Sequence, residues 1–405
     1  MKRKQLGPVL LTGFIIGPIL GSGIIILPPL AHELLGNWAL PAWVVISLLG
    51  ALFAAVFGSM SILFPGDSGV SECVAQAFGS KAKQLTAYFL MGAVCVGPVA
   101  VVLTAAKYLG LQSVLPDQFV GAILVCLILL LLLRRITALG QLAFVLSTLA
   151  ATVLFVGSLT CLVHGHGVTL PDTSFEPASF GYGLLLLFWT VVGWEIIGNY
   201  SAEIRNPART IPQAVGLSMV VIAAVTLSVA AAVQSVGGTD MSRILQPLFG
   251  RSSVLLLSTL TVALCLVTEL AFTGAVARLM ASLAEEGSLP RLFVGRNAAG
   301  APAVSACVLS SIHLSVLGLS LAGLLNVEKM VAMADGFFLG NAIMALLAGG
   351  KLLKSLLMRW LARVLALLLA GVLAMSSWPV LAVLAGMAWW VLRDKKETLL
   401  WAGGK

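Results

Sequence analysis

Four ionisable side chains lie within or near the ends of long apolar stretches of this sequence. Glu195 and Glu269 lie well inside such stretches, whereas Asp335 and Lys107 lie nearer to the ends of theirs. If the stretches cross a membrane, a charge inside one costs at least about 2.5 to 3.5 kcal/mol on insertion scales, so each is a functional candidate. A carboxyl group at that depth can bind and release a proton. We therefore interpret Glu195 and Glu269 as candidate proton carriers.

Glycine and proline cluster where they would weaken two apolar helices. The first cluster is "GPILGSGIIILPP", from Gly17 to Pro29, and the second is "LLFWTVVGWEIIGNYSAE", in which Gly193 interrupts a β-branched and aromatic run. A proline kink, a Gly17–Gly21 packing face or a flexible helix would each explain the first cluster alone. An unwound backbone is a further interpretation, because it exposes N–H and C=O groups that can bind a ligand.

The composition identifies the class of protein that contains these residues. Of the 405 residues 60% are hydrophobic and 10% are charged, with a mean hydropathy of +1.06, whereas soluble domains average about 25% charged residues. A membrane-spanning helix needs roughly 20 apolar residues. The sequence therefore predicts an all-α polytopic membrane protein with about twelve transmembrane helices. The apolar runs cover residues 8–29, 40–63, 85–109, 117–133, 138–163, 181–201, 211–236, 252–277, 302–322, 328–350, 358–375 and 378–393. Only two serines separate the last two short runs, so whether both cross is left open.

Positive charge is distributed unequally between the two sides of this predicted membrane protein. Lys107, Arg243, Arg251 and Lys329 fall on one side, and the other 20 of the 24 Lys and Arg residues fall on the side of the termini. Because cytoplasmic loops carry the excess of Lys and Arg, both termini are expected in the cytoplasm. The net charge of +8 follows from this topology. It gives no support for nucleic-acid binding, because no basic face is interleaved with exposed aromatics.

Cysteine and histidine usage argues against several other classes of protein. The six cysteines are scattered and form no Cys-x-x-Cys pair, so neither a disulfide framework nor a zinc site is indicated. His164 and His166 lie in a predicted outer loop, and His32 and His313 are isolated in the sequence. We therefore expect no metal site, no cofactor and no catalytic residues.

The two disturbed helices are the first and the sixth of the predicted spans. Corresponding interruptions five helices apart are the signature of an inverted-repeat transporter, whose site lies at the membrane midplane between the broken helices. The positive end of a half-helix suits a carboxylate, and free carbonyls suit an ammonium group. The glycines would thus allow the main chain itself to be the binding site.

These motifs resemble those of the amino acid-polyamine-organocation (APC) superfamily. "GPILGSGIIILPP" is similar to its first-helix motif, and "FWTVVGWEIIGNYSAEIRNPARTIPQAV" is similar to its sixth-helix signature, with the tail Glu203, Asn206, Pro207, Ile211 and Pro212. The loop "ARLMASLAEEGSLPRLF" is similar to the one after the family's eighth helix.

The resemblance implies one transmembrane transporter domain over residues 1–405 and a leucine-transporter-like five-plus-five inverted repeat. The repeats would span 8–163 and 181–350, with two peripheral helices at 358–393. The short chain is most similar to bacterial neutral amino-acid exporters, which implies a multi-pass protein of the bacterial inner membrane.

The resemblance also assigns roles to individual positions. Ser22 and Gly23 match the amides that bind the carboxylate, Pro18 and Ile19 match the free carbonyls, and Glu195 matches an acidic position involved in gating or proton sensing. The expected substrate-binding residues are Pro18, Ile19, Ser22, Gly23, Phe188, Trp189, Val192 and Gly193. An aromatic residue in a membrane helix can equally be a packing residue, so both interpretations of Trp189 stay open.

The sequence departs from the family pattern in its fifth helix. Several proton-coupled members place a lysine there, but "ALGQLAFVLSTLAATVLFVGSLTCLV" contains none. Glu195 and Glu269 are then the expected residues for proton coupling. A pair between Glu269 and Arg278 is unfavourable within one helix, because nine residues correspond to roughly 13.5 Å.

The predicted pocket indicates the substrate class. Ile19, Phe188, Trp189 and Val192 would form a mostly apolar wall, which favours leucine, isoleucine, valine or methionine exported in exchange for protons. The alternatives are an exchanger or an uptake carrier for cationic amino acids or polyamines, for which Glu269 could supply the carboxylate, and a channel or membrane scaffold. The expected partners are an amino acid, protons and the bilayer. Transport direction, stoichiometry and oligomeric state are not readable from the sequence.

Overall fold

A computed structural model shows the protein as a bundle of apolar helices. The structure describes residues 7–63, 69–134, 139–164, 167–169, 171, 173–194, 204, 206–238 and 240–393. The helices are α1 (Pro8–Leu20), α2 (Gly23–Leu35), α3 (Ala39–Leu63), α4 (Gly69–Phe78), α5 (Ser80–Leu109), α6 (Asp117–Leu132), α7 (Leu139–His164), α8 (Pro177–Leu187), α9 (Pro207–Ser235), α10 (Ser242–Phe249), α11 (Ser253–Glu285), α12 (Ala303–Leu321), α13 (Val327–Leu352), α14 (Leu356–Leu373) and α15 (Trp378–Arg393).

Every predicted apolar run contains at least one of these helices. Eight helical segments of the described chain are long and apolar enough to cross a membrane, while Asp117–Leu132 and Trp378–Arg393 are shorter apolar helices. The prediction of an all-helical polytopic membrane protein is therefore confirmed. A count of twelve crossings stays a prediction.

The first apolar run is two helices rather than one. Helix α1 ends at Leu20, a turn covers Gly21 and Ser22, and α2 continues to Leu35, six residues beyond the predicted end at Pro29. The proline pair, Pro28 and Pro29, lies in the interior of α2, where it removes two main-chain N–H donors without ending the helix.

The sixth run is interrupted as well. Helix α8 begins at Pro177, four residues before the predicted start at residue 181, and a 3₁₀ turn over Phe188–Thr190 follows it. Residues 191–194 then form a turn, and Glu195 lies outside the described residues. Both interruptions predicted from the glycine patterns are therefore present.

Helices α5 and α13 form the centre of the bundle. They pack along each other, and 83% and 72% of their apolar segments are buried, against 28% for α14. Helix α11 packs on another side of α5, and α9 packs against α1 and α3. The centre is thus built around α5, and α14 is the least buried of these helices.

A glycine allows α13 to approach the last helix closely. A Cβ atom at Gly336 would lie 2.6 Å from Val380 Cγ1 and 3.0 Å from Ser376 Oγ, whereas one at Gly386 would meet nothing within 4 Å. We expect Gly336→Val to lower the free energy of unfolding by about 1 to 3 kcal/mol through overpacking. Thermal unfolding of the detergent-purified protein measures the effect. Gly386→Val is the matched control, and an equal loss in both variants would contradict close packing at Gly336.

Candidate functional site

The turn between α1 and α2 brings main-chain donors into the protein interior. Gly21 has φ of 27°, and Ser22 is buried before the start of α2. The first hydrogen bonds of α2 come from the amides of Ile25 and Ile26 to Ser22 O, at 3.1 Å each. The amides of Gly23 and Ile24 therefore have no acceptor within α2 itself. They form the positive end of a half-helix, which favours an anionic group.

The second interruption lies beside the first. After the 3₁₀ turn the amide of Val191 donates to Phe188 O at 2.7 Å, and Gly193 has φ of 117°, which an L side chain rarely adopts. Val192 and Trp194 are buried in the same turn. The chain thus leaves helical geometry inside the protein rather than at its surface.

Trp189 connects the two interruptions. A Cβ atom at Gly23 would lie 3.0 Å from Trp189 Cδ1, and one at Gly97 of α5 would lie 3.0 Å from its Cη2. Phe338 of α13 meets the indole edge-on, with the ring centroids 6.1 Å apart. The indole therefore fills the space that two glycines leave open, between the first-helix break, α5 and α13.

A narrow gap lies against the indole. Its walls come from α5, α11, α13 and the sixth-helix turn, and they are mostly apolar. The lining residues are Val94, Pro98, Val101, Trp189, Thr268, Glu269, Phe272 and Phe338. One carboxyl group thus faces an otherwise apolar space beside the helix breaks.

Glu269 is held by a polar network inside the bundle. Its Oε1 lies 3.2 Å from His313 Nδ1 of α12 and accepts a hydrogen bond of 3.0 Å from Thr273 Oγ1. His313 Nε2 lies 2.8 Å from Val94 O of α5. Both side chains of the Glu269–His313 pair are buried, and Glu269 Oε2 has no partner among the described residues. Glu269 therefore pairs with His313, which looked isolated in the sequence.

A second buried carboxyl lies behind Trp189. Asp335 of α13 is fully buried, although the sequence placed it near a helix end. The main chain of Trp189 is close to this carboxyl, yet neither oxygen completes a hydrogen bond in the described part of the chain. The sequence underrated Asp335 because position along a helix does not reveal burial. A buried acceptor without a donor is costly, which makes Asp335 a further candidate.

The structure separates the remaining predicted site residues. Phe188 packs edge-on against Phe53 of α3 at 6.3 Å, away from the gap, and Ile19 and Val192 are buried without lining it. Helix α1 contains Pro18, whose side chain is outside the described residues, as is Glu195. Ser22, Gly23, Trp189 and Gly193 belong to the two interruptions. The substrate contacts assigned to all these residues stay predictions.

An open vestibule of about 850 Å³ lies near the last residues of α2 and α5 and the first residues of α6 and α13. It reaches Ile25 of α2, near the first-helix break, and Leu103 of α5, two residues from Val101 in the lining of the gap. Its acidic lining residues are Glu33, Asp117, Asp240 and Glu328, and Lys107 lies beside them. The vestibule gives water a route toward the helix breaks from that side.

Comparison with known proteins identifies the family of this chain. A family model described as amino acid permease matches residues 6–355, which include both interruptions and the gap. The chain belongs to the amino acid permease family. The family resemblance found in the sequence is thereby confirmed, and so is the prediction that the protein is not an enzyme.

Two relatives match this permease over nearly their whole length. The L-methionine/branched-chain amino acid exporter YjeH of Escherichia coli is 25% identical over 417 residues, covering 98% of this chain and 97% of the relative. The uncharacterized amino acid permease YecA of Bacillus subtilis is 25% identical over 407 residues, covering 95% and 94%. The permease is thus similar to full-length bacterial amino-acid transport proteins.

The first-helix break generates a test of main-chain recognition. If the amides at Ser22 and Gly23 bind the amino-acid carboxylate, Ser22→Ala should keep substantial transport, because it removes only the hydroxyl. Gly23→Val should abolish binding, because its side chain would enter the space of Trp189. Uptake of labelled amino acids into proteoliposomes measures both variants. Equal loss in the two would indicate the hydroxyl rather than the backbone.

Proposed function

We propose that this permease is a secondary active transporter that exports neutral hydrophobic amino acids in exchange for protons. One observation carries the proposal: a mostly apolar gap with a single carboxyl group lies against Trp189, whose indole also packs on Gly23 at the first-helix break. The helix breaks supply recognition of an α-amino acid, the apolar walls supply selectivity, and the carboxyl supplies a group that can exchange a proton.

Main-chain groups would bind the part common to all amino acids. The amides of Ser22 and Gly23 would bind the carboxylate, and the carbonyls of Pro18 and Ile19 would accept from the ammonium group. Inside a membrane, unwound backbone is tolerated only beside protein or an aqueous cavity, which is the situation of both breaks. Phe188, Trp189, Val192 and Gly193 would form the sixth-helix side of the site.

The apolar gap favours leucine, isoleucine, valine or methionine. The gap is lined by aliphatic and aromatic residues, and Glu269 Oε1 is already engaged by His313 and Thr273. The relative from Escherichia coli, which is named as a methionine and branched-chain amino acid exporter, supports the same substrate class. An exchanger or an uptake carrier for cationic amino acids or polyamines is the second candidate, supported by the acidic vestibule.

The proposed architecture is a leucine-transporter-like inverted repeat of residues 8–163 and 181–350, followed by two peripheral helices. The protein would span the bacterial inner membrane with both termini in the cytoplasm, because the excess of Lys and Arg lies on that side. The vestibule would then open to the outside, so that this structure corresponds to an outward-facing arrangement.

Transport by the purified protein tests the proposed function directly. A panel of labelled amino acids is offered to proteoliposomes with and without a pH gradient, and counterflow of each substrate is measured. We expect counterflow of leucine, valine and methionine, and accumulation that responds to the gradient. A lack of counterflow with every amino acid would overturn the proposal, and selective transport of arginine or polyamines would establish the second candidate.

Trp189 should control selectivity by size. Trp189→Ala should weaken binding of large apolar substrates by about 1 to 3 kcal/mol, if the ring is desolvated against them. Competition with unlabelled amino acids of increasing size measures this effect. Trp378→Ala is the matched control, because Trp378 is exposed at the start of α15. An unchanged substrate profile would make Trp189 a packing residue.

Proton coupling should depend on Glu195 or Glu269. Glutamine resembles a protonated acid in shape and hydrogen bonding but cannot release a proton. Replacing the coupling residue by Gln should therefore remove the response to a pH gradient while counterflow remains measurable. If both Gln variants accumulate substrate as the parent does, coupling through these residues is wrong, and a substrate exchanger or uniporter describes the protein better.

A further inference from the structure

The position of the His313 ring fixes the role of each of its nitrogens. Nε2 lies 2.8 Å from the carbonyl oxygen of Val94, and a carbonyl can only accept a hydrogen bond. Nε2 must therefore carry a hydrogen in this arrangement. In a neutral imidazole with Nε2 protonated, Nδ1 presents a lone pair. That lone pair lies on the side of Glu269.

The carboxyl oxygen nearest to Nδ1 is also a hydrogen-bond acceptor when it is unprotonated. Glu269 Oε1 lies 3.2 Å from His313 Nδ1, and Thr273 donates its hydroxyl hydrogen to the same oxygen at 3.0 Å. The Nδ1–Oε1 contact is short but is not a well-aligned hydrogen bond. If Nδ1 and the carboxyl group were both unprotonated, the nitrogen and the carboxylate oxygen would lie 3.2 Å apart in the protein interior with no hydrogen between them. The contact is favourable only when one proton lies on Nδ1 or on the carboxyl group.

We propose that Glu269 and His313 hold one proton between them and act together as the proton carrier of this permease. The inference rests on the proposed function, which named Glu269 but gave it no partner. In the carrying state the proton bridges α11 and α12, with α5 attached through Val94. On release, the proton passes to solvent that reaches the pair during the transport cycle, and the bridge is lost.

The surroundings favour a role for the pair itself. In the described part of the chain neither residue forms an ion pair with Lys or Arg, so no fixed cation neutralises the carboxylate. Three other titratable side chains lie close to the pair along these helices. Cys265 is one turn before Glu269, Cys95 follows Val94, and Asp335 of α13 lies on the other side of Trp189. In the described part of the chain, neither Glu269 nor His313 forms a hydrogen bond or an ion pair with the titratable side chains of α6 (Asp117, Cys126), of α7 (Cys161, His164) or with Cys307 of α12.

The second carboxyl oxygen of Glu269 is free to take a new position after the proton is released. Glu269 Oε2 has no partner among the described residues, and Glu269 lines the gap together with Trp189 and Thr268. When the bridging proton is lost, repulsion from His313 would turn the carboxylate toward this gap. The protonation state of the pair would thereby reach the wall of the proposed substrate site.

Three substitutions separate the contacts of the pair. Glu269→Gln removes the acid. His313→Gln keeps an amide near the position of Nε2, facing Val94, and His313→Asn keeps one near the position of Nδ1, facing Glu269, but neither can take up a proton. The matched control is His164→Gln, because His164 is exposed at the end of α7 and bonds only within its own helix.

Two measurements are made on each variant in its full-length form. Counterflow of labelled leucine in proteoliposomes tests transport itself, and leucine accumulation driven by a pH gradient tests coupling. We expect Glu269→Gln and both His313 variants to retain measurable counterflow but to lose gradient-driven accumulation, while His164→Gln keeps both. The double variant Glu269→Gln/His313→Gln should lose no more gradient-driven accumulation than either single variant, because both substitutions disable the same proton-carrying pair.

The outcomes separate the failure of this inference from the failure of the proposed function. Absence of counterflow in the parent would overturn the proposed function. Gradient-driven accumulation in the parent that survives in both His313 variants would overturn the shared-proton inference alone. Losses that add in the double variant would also overturn it, since independent residues would then be responsible. If one His313 variant fails to fold, the other decides the result.

Discussion

The rest of this structure depends on one constraint: main-chain N–H and C=O groups inside a bilayer must find partners within the protein or in a water-filled cavity. Two of the apolar segments violate helical geometry deep in the bundle, after Leu20 and after Leu187. An isolated break would leave polar backbone facing hydrocarbon. The two breaks instead lie beside each other and are enclosed by α5, α11 and α13. The surrounding helices thus make the unwound backbone tolerable and leave it available for a ligand.

Glycine makes this enclosure possible, because an indole must fit between the breaks and the central helix. Trp189 touches the positions where Gly23 and Gly97 lack a side chain, and Phe338 closes the far edge. Bulkier residues would push the helices apart and open the breaks to lipid. The same packing leaves a narrow apolar gap, into which α11 brings Glu269. The proposed substrate selectivity and the protection of the backbone would therefore depend on the same few close contacts.

A buried carboxyl–imidazole pair lies at the level of the gap. The fifth apolar run contains no lysine, and the described structure holds a carboxyl and an imidazole together across α11 and α12. The imidazole is tied to α5 by the Val94 carbonyl, so the polar network connects three helices at the level of the gap. A group that changes protonation there acts directly on the wall of the proposed site. The acidic vestibule is lined by four carboxyl groups, which favour cations near its mouth.

The sequence alone determined the class of protein, the apolar segments and the location of both helix breaks, because hydrophobicity, glycine and proline act locally along the chain. It also identified Glu269, since an acid within an apolar run is unusual wherever it points. The partner of that acid was not predictable: His313 lies 44 positions away on another helix, and only the packing of α11 against α12 brings the two together. Burial of Asp335 and the turning of Phe188 toward Phe53 were likewise decided by tertiary structure. Sequence patterns fix which face of a helix is apolar, whereas contacts between helices of similar composition depend on shape, and shape exists only in the folded bundle.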